Sequence, residues 1–93
     1  MKSLDKLRKE IDIIDEEVMS LLNKRYELTN EIGKIKKLES ISVTNNEREH
    51  DILVKTNDFK YQKQIENVYK SIFKVSKDSQ TMQSYLLTAD ASY

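Results

Sequence analysis

The chain has 93 residues, 34% charged, 38% hydrophobic and 8% aromatic, and its 16 basic and 16 acidic side chains leave a formal net charge of zero. That length allows one small domain spanning residues 1–93, marginal alone because so short a chain buries only about 60–65% of its unfolded surface. Charge balance gives no reason to expect nucleic acid or an anionic membrane surface as a partner. Cysteine is absent, so there is no disulfide framework, and a single histidine excludes zinc-finger spacing. No apolar run approaches the ~18 residues of a membrane span. The start, Met1 to Arg8, lacks the uninterrupted apolar stretch of a secretory signal, and a soluble cytoplasmic protein is expected.

Glycine occurs only at Gly33 and proline nowhere, which removes the punctuation of hairpins, sandwiches and βαβ units and excludes glycine-rich phosphate loops. Apolar residues recur at Leu4, Leu7, Ile11, Ile14, Val18, Leu21, Leu28, Ile32 and Ile35, a 3-4 repeat broken only by Arg25. Ser3 can cap its start, and Ser40–Asn46 is poor in helix formers. The spacing therefore predicts a helix over about 4–39, with Gly33 tolerated inside it at about 1 kcal/mol. Thr44-Asn45-Asn46-Glu47 fits a capping box, and Asn45 is an equally good cap, so a short second helix is expected over 46–57. A third is expected over 62–87, with Ile65, Val68, Tyr69, Ile72, Phe73, Val75, Met82 and Leu86 on its apolar side. The fold class is all-α, with no internal repeat and no linker.

At 1.5 Å per residue the first helix would be about 52 Å long. A compact chain of this size has a radius of gyration near 12 Å and a diameter of roughly 30–35 Å. The stripe thus outruns the cover its own chain can supply, and the same stripe of a second copy is the simplest partner. The expectation is an intertwined homodimer; a helix bent at Gly33 into a monomeric bundle is the simpler alternative.

Polar residues interrupt these faces. Arg25 occupies a core position, and burying a guanidinium without a partner costs several kcal/mol, so something anionic should meet it. Lys36 lies 11 residues on, about 1100° of rotation, and so points within roughly 20° of Arg25. Gln83 follows Ile65 by 18 residues, an integral number of turns, and Ser79 sits one turn before it. Each alone can be a register-fixing polar residue; together they describe a polar pocket inside a bundle. Only three of the 16 cations are arginine (Arg8, Arg25 and Arg48), which suggests sites where a planar fork for carboxylates is wanted. Arg8 and Arg25 are about 25 Å apart along one helix, but in an antiparallel dimer Arg8 of one chain can approach the other chain's Arg25 and Lys36. The expected ligand is small and carries more than one negative charge.

The run Leu7-Arg8-Lys9-Glu10-Ile11-Asp12-Ile13-Ile14-Asp15, then Leu21-Leu22-Asn23-Lys24-Arg25 and Gly33-Lys34-Ile35-Lys36, resembles the all-helical, type II chorismate mutases. The likeness continues through Asn45-Asn46-Glu47-Arg48-Glu49 and closes with Ser79-Gln80-Thr81-Met82-Gln83, in family order over nearly the whole chain. The resemblance implies an interlocked dimer of three-helix protomers that converts chorismate to prephenate, in phenylalanine and tyrosine biosynthesis, without metal or cofactor. It further implies that Arg25 and the partner chain's Arg8 grip the two substrate carboxylates, and that Lys36 and Gln83 donate to the ether oxygen. Glu49, with the backbone around Arg48, would hold the ring hydroxyl, and Ser79 would assist at a carboxylate. Asn45 also lines the family's pocket, where an acidic residue is common, and this departure puts a charge-dependent role there in doubt.

A [3,3] rearrangement needs no nucleophile or proton shuttle; the protein must fold a flexible arm over a ring and support charge on the ether oxygen as its C–O bond breaks. Two other readings stay open: an isochorismate-pyruvate lyase on the same scaffold, and a non-catalytic helical dimerisation or regulatory module. His50 reads as incidental, Tyr26, Tyr69 and Tyr85 as packing or rim residues, and Lys34-Ile35-Lys36-Lys37 as a solvated run offset by Glu31 and Glu39.

Overall fold

In this computed structural model residues 2–91 are described, with side chains for residues 2–82, and they are all-helical. Helix α1 spans Leu4–Leu38, α2 spans Asn46–Lys55 and α3 spans Gln62–Ala91. The Ser3 hydroxyl accepts from the Lys6 backbone N–H at 3.3 Å, capping α1 as its position suggested. The helix stops through a Schellman motif. Ser40 takes φ 57°, its N–H reaches the Lys37 carbonyl, and the Ile41 N–H returns to the Lys36 carbonyl at 2.7 Å. That left-handed residue is a serine, so the turn closes with a Cβ where glycine would be unstrained.

Of the two candidate caps for α2 the structure selects Asn45, whose side-chain oxygen accepts from the Arg48 N–H at 3.0 Å. The helix was expected to reach residue 57 but ends at Lys55, and Thr56–Asp58 winds into one 3-10 turn. Buried Thr56 explains the tightening: its hydroxyl donates to the Leu53 carbonyl at 2.6 Å and accepts from the Gln62 amide at 3.1 Å. Helix α3 starts where expected and continues past residue 87 to Ala91, with no glycine or proline to stop it.

Helices α1 and α3 run in the same direction, since Arg25 meets Ser76 and Asn30 meets Ser79. They come closest at Gly33. A Cβ there would lie 3.0 Å from the Gln80 Cα and 3.0 Å from its Cγ. The glycine is thus more than a tolerated helix interruption: it is the buried residue that lets α3 approach.

Apolar cover is unevenly shared. Among the described side chains Ile72 and Phe73 are the buried hydrophobics, both on α3. Every residue from Lys2 to Leu21 is exposed, including Ile11 at 53% and Ile14 at 55%. The radius of gyration is 17.3 Å and the extents are 62 × 28 × 14 Å, far from the ~12 Å radius of a compact chain this long. Among the described residues no helix is long and apolar enough to cross a membrane.

Candidate active site

A cavity of about 250 Å³ opens where the second half of α1 meets α2 and α3. Helix α1 lines it with Arg25, Thr29, Ile32 and Lys36, a stripe at spacings of four, three and four that keeps one face turned inward. The loop adds Val43 and Asn45, and α2 adds Arg48, Glu49 and Ile52 from its first two turns. Phe73, Ser76, Lys77 and Gln80 close it from α3.

Arg25 is half-buried and meets no carboxylate among the described residues. Its Nη1 donates to the Ser76 Oγ at 3.1 Å, and its guanidinium carbon lies 6.0 Å from the Tyr69 ring centre and 5.8 Å from that of Phe73. The two aromatics pack on each other with centroids 5.9 Å apart. A guanidinium tolerates this setting because the ring faces are partly negative and its wide, weakly hydrated plane stacks well. The rings and the hydroxyl aim the cation without neutralising it. Tyr69, expected to be packing, is therefore part of the support beneath Arg25.

Lys36 is half-buried, and its Nζ donates to the Val43 carbonyl at 2.9 Å, tying the loop to α1. Arg48 is exposed at the rim. Among the described residues Glu49 is the one carboxylate lining the cavity, and its Oε2 lies 3.2 Å from the Lys77 Nζ. Arg25, Lys36, Arg48 and Lys77 against Glu49 leave an excess of three positive charges (four minus one) around a small space. Among the described residues no group of three or more His, Cys, Asp or Glu converges as a metal site would require.

Five of the residues singled out in the sequence thus share the cavity: Arg25, Lys36, Asn45, Arg48 and Glu49. Arg8 does not, being exposed on the outer half of α1. Ser79 does not either: its hydroxyl is directed at the Asn30 side-chain oxygen. Gln83 lies outside the residues whose side chains are described. Among the described side chains the α3 hydroxyl and amide that line the cavity are Ser76 and Gln80.

Gln80 follows buried Phe73 by seven residues, and so lies within about 20° of it on the helix. The pair Ser76/Gln80 repeats the four-residue spacing of Ser79/Gln83, and the glycine at position 33 was a further signal that some α3 backbone must come close. Gln80 is 6% exposed, and its Oε1 has no hydrogen-bond partner among the described residues.

The profile of the chorismate mutase type II family matches residues 7–81 of this chain, a span that includes every cavity-lining residue. A bifunctional chorismate mutase/prephenate dehydratase of Aquifex aeolicus (strain VF5) is 47% identical over 55 residues, 59% of this chain; the match covers 15% of that relative's length. Among solved structures, a conserved hypothetical protein from Pyrococcus furiosus is similar with a TM-score of 0.74 and 39% identity, over 86% of this chain and 97% of that one.

Proposed function

The chain belongs to the chorismate mutase type II family, and from that premise we propose that it converts chorismate to prephenate as a cytoplasmic enzyme of phenylalanine and tyrosine biosynthesis. The reading rests above all on one observation: Arg25 and Lys36, neither paired with a carboxylate among the described residues, line one small cavity together with the buried Gln80 amide. That is a site for an anion that also carries a polar atom between its charges.

In this reading the Arg25 guanidinium, already levelled by Ser76 and two rings, takes one substrate carboxylate in a two-pronged grip. Lys36 and the Nε2 of an α3 glutamine, Gln80 among the described side chains, donate to the ether oxygen. As the C–O bond breaks and the new C–C bond forms, charge gathers on that oxygen, and an ammonium and an amide fixed beside it favour the transition state over the ground state. Glu49 accepts from the ring hydroxyl, and Asn45 serves as the cap that sets α2, and with it Arg48 and Glu49, in register.

The second carboxylate calls for another cation. We infer a homodimer in which the exposed stripe Leu4, Leu7, Ile11, Ile14 and Val18 packs on a second copy and delivers the partner's Arg8 to the cavity. An elongated protomer whose longest helix is bare for half its length supports that arrangement.

The test is the loss of chorismate absorbance with identification of the product. Prephenate is expected, and Arg25→Ala should lower kcat/KM at least about a hundredfold, with helical content retained. Salicylate and pyruvate formed from isochorismate would instead indicate a lyase, and no turnover of either substrate a binding module.

A further inference from the structure

Lys77 also lines the cavity, and the proposed reaction assigns it no part. Its Nζ lies 3.2 Å from the Glu49 Oε2, with side chains 34% and 24% exposed, so the pair is drawn partly out of water. It spans from α3 to α2, and α2 has no buried residue of its own. This contact therefore helps to hold α2 over the cavity. It also fixes where the carboxylate points. Were Lys77 neutral, the cations left around the same cavity among the described residues would be Arg25, Lys36 and Arg48, which an anionic ligand needs.

We propose that Lys77 is a positioning residue: it holds the Glu49 carboxylate at the rim, where it can accept from the substrate hydroxyl, and keeps it from neutralising the anion-binding cations. The inference rests on the mutase reading above. Lys77 touches no reacting atom in it; it acts through Glu49. Its loss should weaken substrate binding equally in ground state and transition state, raising KM and sparing kcat.

The experiment is steady-state kinetics on chorismate with the full chain, comparing wild type, Lys77→Met, Lys77→Arg, Glu49→Gln and the Lys77→Met/Glu49→Gln double variant. Helical content and thermal unfolding are monitored alongside, and Lys77→Gln takes the place of Lys77→Met if the latter does not fold. Lys77→Met should raise KM about tenfold with kcat changed less than about twofold, and Lys77→Arg should stay within about twofold of wild type. In the Glu49→Gln background, removing Lys77 should raise KM no further, because there is no carboxylate left to restrain.

A KM unchanged in Lys77→Met overturns the proposal. So does a rise that persists in the Glu49→Gln background, since that marks direct or long-range attraction of the substrate by Lys77. Wild type that turns over no chorismate defeats the mutase reading itself, and the proposal falls with it; an active wild type with an indifferent Lys77→Met defeats the proposal alone.

Discussion

The two halves of α1 carry the same apolar repeat and meet opposite fates. From Lys2 to Leu21 every residue is exposed, although Leu4, Leu7, Ile11, Ile14 and Val18 follow one stripe. From Leu22 to Lys36 the same helix turns partly buried residues toward α3, closes on it at Gly33, and places Arg25 and Lys36 in the cavity. Periodicity alone does not separate these halves, because it reports that a face wants cover and not where the cover comes from. The difference lies in the interruptions. Arg25 breaks the repeat in the second half, Gly33 and Lys36 lie beside it, and each of the three has a chemical or packing duty.

The largest effect expected from breaking this contrast lies in the outer half. Ile14→Asp would place one charge from each copy in the proposed interface, costing several kcal/mol, and should raise the dimer dissociation constant about a thousandfold or more, measured by sedimentation equilibrium. Unchanged association would mean that the stripe is not the contact between copies. In the inner half Lys36→Ala should lower kcat by about a hundred- to a thousandfold while the dimer persists, read from turnover and sedimentation on the same sample. Gly33→Val sharpens the packing side. Its side chain meets the Gln80 backbone, and overpacking of about 1–3 kcal/mol should exceed the few tenths regained in helix propensity. A lower urea midpoint at fixed protein concentration, with reduced turnover, is the expected pair of readings. The smallest effect belongs to the end of the helix. Ser40→Gly removes a Cβ from a left-handed residue and should stabilise by about 0.5–1 kcal/mol with activity unchanged.

Most of the fold could be read from the residues. The start of α1, the Asn45 cap and the start of α3 all rest on local rules: a hydroxyl or amide that can reach back to a free N–H, followed by apolar residues at helical spacing. The end of α2 was less legible because Thr56 withdraws a carbonyl through its own hydroxyl and is fixed from outside by Gln62, six residues on. On α1 and α2 the cavity residues followed directly, since Arg25 and Lys36 lie 11 residues apart on one continuous helix. The α3 side did not. Which face of α3 turns inward depends on its crossing with α1, and that is set by Gly33 against Gln80, a contact between residues 47 apart in the chain. Lys77 escaped for a related reason: its neighbour Glu49 is brought to it only by the turn at Thr56–Asp58 and the packing of α3.

The bond from Lys36 to the Val43 carbonyl bears on how a ligand would enter. An ammonium carries three protons, and Lys36 spends one of them on the Val43 carbonyl. The remaining two are free to turn toward a guest while the first stays latched to the loop. Arrival of an anion therefore does not require the 39–45 segment to come undone and be rebuilt, so the entropy of ordering that segment is already spent before binding begins. The same nitrogen can secure the doorway and greet the visitor.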